Sequence, residues 1–281
     1  MRFDMRNEEM KKLADHLRME YEGIFDEERI ERHIRDYIDL NNSEAFVQDL
    51  IAEGYGRMRL LDIGSGYGSN VLAARQAGID AIGIDIEQFE VEFARKRMRD
   101  ERPDDSAEEV YILGDGLTLP FEDQTFDLVT ILNVLEHVPD YRKLLDEAIR
   151  VLRPDGRLYL VCPNYAAFRQ EAHYHVPWLP FFHKGIASLY LKLIGKNPRF
   201  LQTSIHYCTN WGILLCLSGL SVRVENPYLA KMRNIQAIRN EKIRKAMLKL
   251  KHLNLLWVAE FLTCALFYNP FKHSVSLKAK K

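Results

Sequence analysis

A series of acids and amides along the middle of the chain has the side-chain types needed to hold a nucleoside. The first lies in Leu60-Leu61-Asp62-Ile63-Gly64-Ser65-Gly66-Tyr67-Gly68-Ser69-Asn70, where an apolar run ends in an acid and a glycine-rich turn follows. Without Cβ, glycine can take positive φ and let the backbone approach a ligand closely. Amides at the start of the following helix favour a carboxylate or phosphate. Asp85 ends the next apolar run, 19 residues after Gly66. An acid there can accept from both hydroxyls of a ribose, and Ile86 beside it can lie against an adenine face. Asp115, followed by Gly116, can accept from an adenine amino group, and Asn133 opens the stretch Asn133-Val134-Leu135-Glu136-His137-Val138-Pro139-Asp140. Any one of these acids could equally cap a helix. Their order and spacing together point to a nucleoside site.

Two places offer a base for proton transfer, and histidine is the side chain best matched to that task near neutral pH. His137 follows the fourth apolar run, and it can also simply pack or cap the next helix. The second place is Glu171-Ala172-His173-Tyr174-His175, with His206 and Tyr207 on the same rim. His173 and His175 offer two metal-ligand types but no clear third, so no metal site is expected.

The elements that must carry these residues follow from the period of the apolar positions. Strands are predicted near residue 60 and over Asp80–Asp85, Val110–Leu113, Asp127–Leu132 and Arg157–Cys162. Helices are predicted over 71–77, Gln88–Asp100 and Tyr141–Leu152, with the turn Arg153–Gly156 before the fifth strand. This alternation implies right-handed crossovers and a parallel sheet covered on both faces. Residues 1–56 read as a helical cap, with Asn41-Asn42-Ser43 breaking and recapping the chain. Residues 57–281 read as one α/β domain with insertions at 163–208 and 227–272. The first insertion, rich in aromatics, His and Pro, would overhang the site as a lid, its aromatics stacking on an acceptor or burying the insertion. A short helix falls near Ile186–Ile194, a helix at Thr209–Leu217, a strand at Ser221–Glu225, helix again over 228–268, and Ser274–Lys280 as a closing edge strand.

The pattern Asp62-x-Gly64-x-Gly66-x-Gly68 differs from the dinucleotide fingerprint G-x-G-x-x-G/A. It resembles motif I of the class I S-adenosylmethionine-dependent methyltransferases. The strings LLDIGSGYGS, GIDIE, GDGLTLPFEDQTFDLV, NVLEHVPD and VLRPDGRLYL are similar to the type 11 branch of that family, over about residues 58–164. The resemblance implies a doubly wound, Rossmann-like seven-stranded sheet, mostly parallel with an antiparallel last strand, and S-adenosylmethionine as cofactor. It assigns Asp62, Gly64, Gly66 and Gly68 to the methionine moiety, Asp85 to the ribose, Asp115 with Gly116 to the adenine, and Asn133, through its backbone, to the methionine end; Ser65 in the turn and Ile86 beside Asp85 complete the expected cofactor contacts. Of the catalytic candidates, His137 sits in the family's wording, and His173 and His175 lie in the lid.

Composition bounds the partners. With 281 residues and a net charge of −1 the chain lacks the basic excess of a nucleic-acid binder. Yet residues 227–281 hold 12 Lys/Arg against 2 acids, and Lys231–Lys251 alone holds eight against one. The apolar, aromatic run after it makes 231–268 either a peripheral membrane contact or a solvated basic helix over a core helix. Leu253–Tyr268 is shorter than a membrane span, and the charged first residues are unlike a signal peptide. Cys162, Cys208, Cys216 and Cys264 show no ligand spacing and read as buried reduced thiols, in keeping with a cytoplasmic protein. The expected reaction is methyl transfer to a small or lipid-linked acceptor, most readily a saccharide hydroxyl. The alternatives are a quinone-like or phenolic lipid, or a cofactor-binding scaffold without turnover. A nicotinamide dehydrogenase fits the glycine spacing less well.

Overall fold

Apolar residues recur at helical spacing before residue 53 and alternate at strand spacing from residue 59, and the fold changes character between them. The computed structural model describes residues 7–226, 229, 235–238, 241–268 and 274–281. Three helices come first: α1 (Glu8–Glu20), α2 (Glu27–Ile38) and α3 (Asn41–Ala52). Asn7 and Asp26 cap the first two by accepting from Glu9 N and Arg29 N. Met10, Leu13, Ala14 and Leu17 of α1 meet Ile30, Ile34 and Ile38 of α2, and this apolar seam closes over Tyr67 and Phe93. The break before α3 is where the Asn-Asn-Ser triplet places it, but the cap is different. Asp39 accepts from Asn41 N at 3.0 Å, while Ser43 is buried inside the helix.

The α/β part runs β1 (Arg59–Ile63), α4 (Ser69–Gln76), β2 (Asp80–Asp85), α5 (Gln88–Glu101), α6 (Ala107–Val110), β3 (Tyr111–Leu113), β4 (Phe126–Leu132), α7 (Tyr141–Val151) and β5 (Leu152–Pro163). A lid follows, with the small hairpin β6 (Arg169–Gln170) and β7 (Pro177–Trp178), then α8 (Lys184–Leu193) and α9 (Arg199–Thr203). The chain closes with α10 (Asn210–Ser218), β8 (Arg223–Glu225), α11 (Glu241–His252), α12 (Leu256–Tyr268) and β9 (Ser274–Lys280). Seven strands form one sheet in the order β3-β2-β1-β4-β5-β9-β8. The first five are mutually parallel, and β9 is antiparallel to both β5 and β8, so the predicted architecture is the one observed.

Side chains of alternate residues fall to opposite faces. Leu60 and Leu128 join one apolar cluster under α3, α4 and α5; Leu61, Ile63, Val129 and Ile131 join the other, with Leu144, Leu145, Ala148 and Ile149 of α7. Both faces are therefore covered, which is why the parallel strands read as near-continuous apolar runs.

Three details depart from the sequence reading. Ser274–Lys280 is not an edge strand: it lies between β5 and β8, and the three-residue β8 takes the edge. The Arg153–Gly156 turn is an irregularity within β5 rather than a loop before it, because pairing jumps from Phe126–Leu152 to Leu128–Arg157, with Asp155 in the left-handed region. Helix over 228–268 is interrupted at Asn254, whose φ is +54°, separating α11 from α12. Parts of that prediction, including residues 231–234 of the basic stretch, lie outside the described residues.

One buried cation ties the cap to the sheet. Arg97 of α5, 2 % exposed, donates to the last carbonyls of α2, Tyr37 O at 3.1 Å and Ile38 O at 2.6 Å, and to Ser69 Oγ at 2.9 Å. It thus satisfies a helix C-terminus with positive charge and fixes the start of α4 at once. The lid is tied to the cap as well: Lys196 Nζ donates to Ile24 O at 2.9 Å and Asn197 N to Gly23 O at 3.2 Å.

Candidate active site

The loops after β3, β2, β1 and β4 emerge at the carboxyl edge of four adjacent strands, with the order reversing at β1. Asp62, Asp85, Asp115 and Asn133 therefore ring one edge. In open α/β sheets, ligands bind at such a switch point.

The glycine turn works by space more than by free donors. Gly64 and Ser65 donate their amides to Ile84 O at 2.9 and 3.1 Å, and Gly66 donates to Asp85 Oδ2 at 2.8 Å. These amides are committed, contrary to the expectation of a donor cradle there. A Cβ on Gly64 would lie 2.3 Å from Val134 Cγ2, and one on Gly68 would lie 2.7 Å from the Tyr111 ring. Gly64 and Gly68 thus allow the loops after β1 and β4 and strand β3 to close up. Over Gly66 the nearest atom to such a Cβ is Glu90 Oε2 at 3.5 Å, which leaves room for a ligand.

Asp62 is buried beneath the turn and accepts from Thr130 Oγ1 at 2.6 Å and from Asn70. Burial pushes its carboxyl up to about 7. It braces β1, β4 and α4, and neither Thr130 nor Asn70 was singled out in the sequence. Asp85 spends one lone pair of each oxygen, on Gly66 N and on Glu87 N at 3.0 Å. An ionised carboxylate has about four acceptor positions, so two stay open for a pair of hydroxyls. Ile86 is 63 % exposed beside it, a flat apolar face for a base. Asp115 uses Oδ1 on Leu117 N at 2.8 Å, which holds its turn, and Gly116 lies where a Cβ would meet Leu144 at 2.7 Å. Asn133 has φ of +57°, a conformation asparagine tolerates better than most residues. The buried Ser65 hydroxyl has no hydrogen-bond partner among the described residues.

His137 and His173 are distant in sequence and adjacent in space, their rings 5.0 Å apart and edge to face. Phe200 of α9 touches both, and Tyr21 of the cap lies 5.3 Å from Phe200. His137 Nδ1 lies 2.9 Å from Ser204 O. A carbonyl only accepts, so Nδ1 carries the proton and Nε2 bears the lone pair. Burial, with His173 next to it, pushes the imidazole down to about 4, so His137 is neutral at physiological pH.

His173 is held in the same tautomer by Glu171, whose Oε1 lies 3.2 Å from Nδ1. Glu171 is fully buried and also accepts from Tyr165 Oη, His173 N and Tyr174 N. His175 is set apart: it is exposed, at φ of +54°, facing Arg29 and His33 of α2. Tyr207 spends its hydroxyl on Phe182 O and stacks on Tyr165, a packing role. Trp178 is buried against Phe182, whereas Phe168 and Phe181 are exposed, so the lid has its own core and also exposed rings.

A third cluster sits where the cap meets α5. Burial and the neighbouring Glu87 push Glu20 up to about 7, and burial with Asp85 pushes Glu90 up to about 8. Cys162 and Cys208 are buried with sulfurs 3.7 Å apart, while Cys216 and Cys264 are only half-buried, less than the sequence suggested.

Residues 61–160, from the middle of β1 to within β5, match a family described as methyltransferase domain, type 11. This segment is a methyltransferase domain. Its match covers the glycine turn and the edge residues Asp62 to Asn133. The chain is 33 % identical over 139 residues to a demethylmenaquinone methyltransferase of Clavibacter sepedonicus, covering 50 % of each. It is 37 % identical over 119 residues to a 27-O-demethylrifamycin SV methyltransferase of Amycolatopsis mediterranei, covering 41 % of this chain and 43 % of that one. The chain thus spans half or less of the length of these relatives. An S-adenosylmethionine-dependent methyltransferase of Mesorhizobium loti shares the fold, with a TM-score of 0.52 at 18 % identity over 86 % of this chain and all of that one. The matched segment therefore carries the edge residues Asp62, Asp85, Asp115 and Asn133. The cap and the lid, both outside the matched segment, supply His173, Phe200 and Tyr21.

Proposed function

We propose that the chain transfers a methyl group from S-adenosylmethionine to a small or lipid-linked acceptor, a hydroxyl of a saccharide intermediate being the best fit. The observation that carries this reading is His137, neutral and with Nε2 bare, placed just past β4 beside the cofactor edge. S-adenosylmethionine brings a methyl already activated on a sulfonium. What remains for the protein is to orient the acceptor lone pair and to remove its proton. Asp85 and Ile86 would hold ribose and adenine, Asp115 with Gly116 the far side of the base, and the turn Asp62–Gly68 with Asn133 the methionine end. His137 Nε2 takes the hydroxyl proton as the oxygen attacks. His173 flanks it, and Phe200 with Tyr21 walls off water. A relative named for methylating oxygen 27 of a rifamycin supports an oxygen acceptor.

A quinone-like or phenolic lipid is the second reading, favoured by the demethylmenaquinone relative. The discriminating assay follows S-adenosylhomocysteine release with cell extracts split into lipid-linked saccharide, quinone and water-soluble pools. Release with a saccharide pool is the expected result. Turnover with the quinone pool alone would replace the first reading by the second, and no release from any pool would leave a binding protein without turnover.

Both lipid-linked readings call for a surface that meets membrane. No helix among the described residues is long and apolar enough to cross one. However, α11 carries Lys242, Arg244, Lys245, Lys249 and Lys251, and α12 exposes Trp257, Phe261 and Leu262. Cations beside exposed aromatics fit a cytoplasmic, anionic leaflet, and the absence of disulfides among the four cysteines fits a reducing compartment. The protein should sediment with phosphatidylglycerol vesicles at low salt. Neutralising Lys242, Arg244 and Lys245 should weaken binding by about 3 kcal/mol, at ~1 kcal/mol per charge. A wild-type protein that stays in the supernatant removes the membrane contact.

A further inference from the structure

Outside the cofactor edge, three side chains converge on the seam between the cap and the methyltransferase domain. His16 and Glu20 lie one helical turn apart on α1, so both project from one face. His16 Nε2 is 3.8 Å from Glu20 Oε2. Glu90, in the first turn of α5, approaches from the opposite side, and one ligand-capable atom from each of the three lies within 4.8 Å of the others. The His16 ring stacks on Phe89 at 4.2 Å and 15°, which holds its orientation. Glu87 adds its charge to the same spot, and among the described residues no Lys or Arg pairs with Glu20 or Glu90. An independent sign comes from Tyr67. It is 5 % exposed and turns its hydroxyl to the Glu90 carboxylate, so a buried donor closes the inner side of the cluster.

We propose that His16, Glu20 and Glu90 bind a zinc ion that latches α1 of the cap onto α5 of the methyltransferase domain. One imidazole nitrogen and two carboxylate oxygens suit zinc, whereas a nitrogen ligand is foreign to calcium. Three protein ligands leave a position for water. The ion offsets the crowded carboxylate charge at the seam. Because Glu90 borders Gly66, the latch also steadies the cap beside the cofactor turn. The role is structural, apart from methyl transfer, and does not depend on the acceptor.

The test uses the full chain, freed of metal by a chelator and titrated calorimetrically with zinc chloride, then separately with calcium chloride. One equivalent of zinc should bind at micromolar or tighter affinity, and zinc in excess should raise the melting temperature by mass action. H16Q should weaken zinc binding at least about ten-fold. E20Q, which keeps the size and shape of the side chain, should fold normally and also lose the zinc-dependent rise in melting temperature. Zinc binding that both variants keep at wild-type strength would overturn the site, as would no binding. Calcium held as tightly as zinc would show carboxylates acting alone and would overturn it too.

Discussion

Asp85→Ala is expected to weaken S-adenosylhomocysteine binding about a hundred-fold. Hydrogen bonds to a charged group contribute roughly 1.5–3 kcal/mol each, and two ribose hydroxyls would be lost, for about 3 kcal/mol or more. The substitution also frees Gly66 N and Glu87 N, which the carboxylate holds at 2.8 and 3.0 Å. Two effects are therefore mixed in the affinity, and a 2′-deoxy analogue of the ligand separates them. Wild-type protein should prefer the full ribose strongly, and the variant should not. Calorimetry that finds equal affinity for wild type and variant would refute the ribose assignment.

The second large effect is expected at His137. H137Q should lower turnover by roughly 10²–10⁴-fold, the usual contribution of a general base, while S-adenosylhomocysteine affinity changes little. The wild-type rate should stay flat through neutral pH and fall only as the pH approaches about 4, where the imidazole becomes charged. An acid limb lying well above that value would remove His137 as the base. Stability should follow the same group. Folding lowers its pKa from 6.5 to about 4. Between those values the unfolded chain binds more protons than the folded one. Stability is thus full above about 6.5 and declines by about 3 kcal/mol as pH falls through 4. In H137Q that component of the acid loss should vanish, which urea titrations at several pH values would show.

The edge ringed by Asp62, Asp85, Asp115 and Asn133 was legible in the sequence because each part of it is local. A strand, a turn and a helix follow one another within about twenty residues. An acid at a strand end reaches that edge whatever the rest of the chain does. The same holds for the sheet, whose parallel strands announce themselves as apolar runs between amphipathic helices. Where the sequence reading went astray, the deciding partner was remote. Ser274–Lys280 alternates as an edge strand does, yet β8, some fifty residues earlier, pairs along its outer side. The glycine turn looked like a cradle of free amides until Ile84 O and Asp85 took those donors.

The sequence by itself determined the doubly wound sheet and the order of the acids around its edge, since short-range period and spacing encode both, while the kind of cofactor followed from the resemblance those strings bear to a known family. Only the tertiary structure decided which histidines act together. Ser204 O and His173 approach His137 from the lid, 67 and 36 residues along the chain, and His175 turns away towards α2. It likewise decided that His16 and Glu20 meet Glu90. Contacts of that kind depend on how helices dock across a core, and both the Ser204 hydrogen bond that sets the tautomer of His137 and the burial that sets its charge exist only once they have docked.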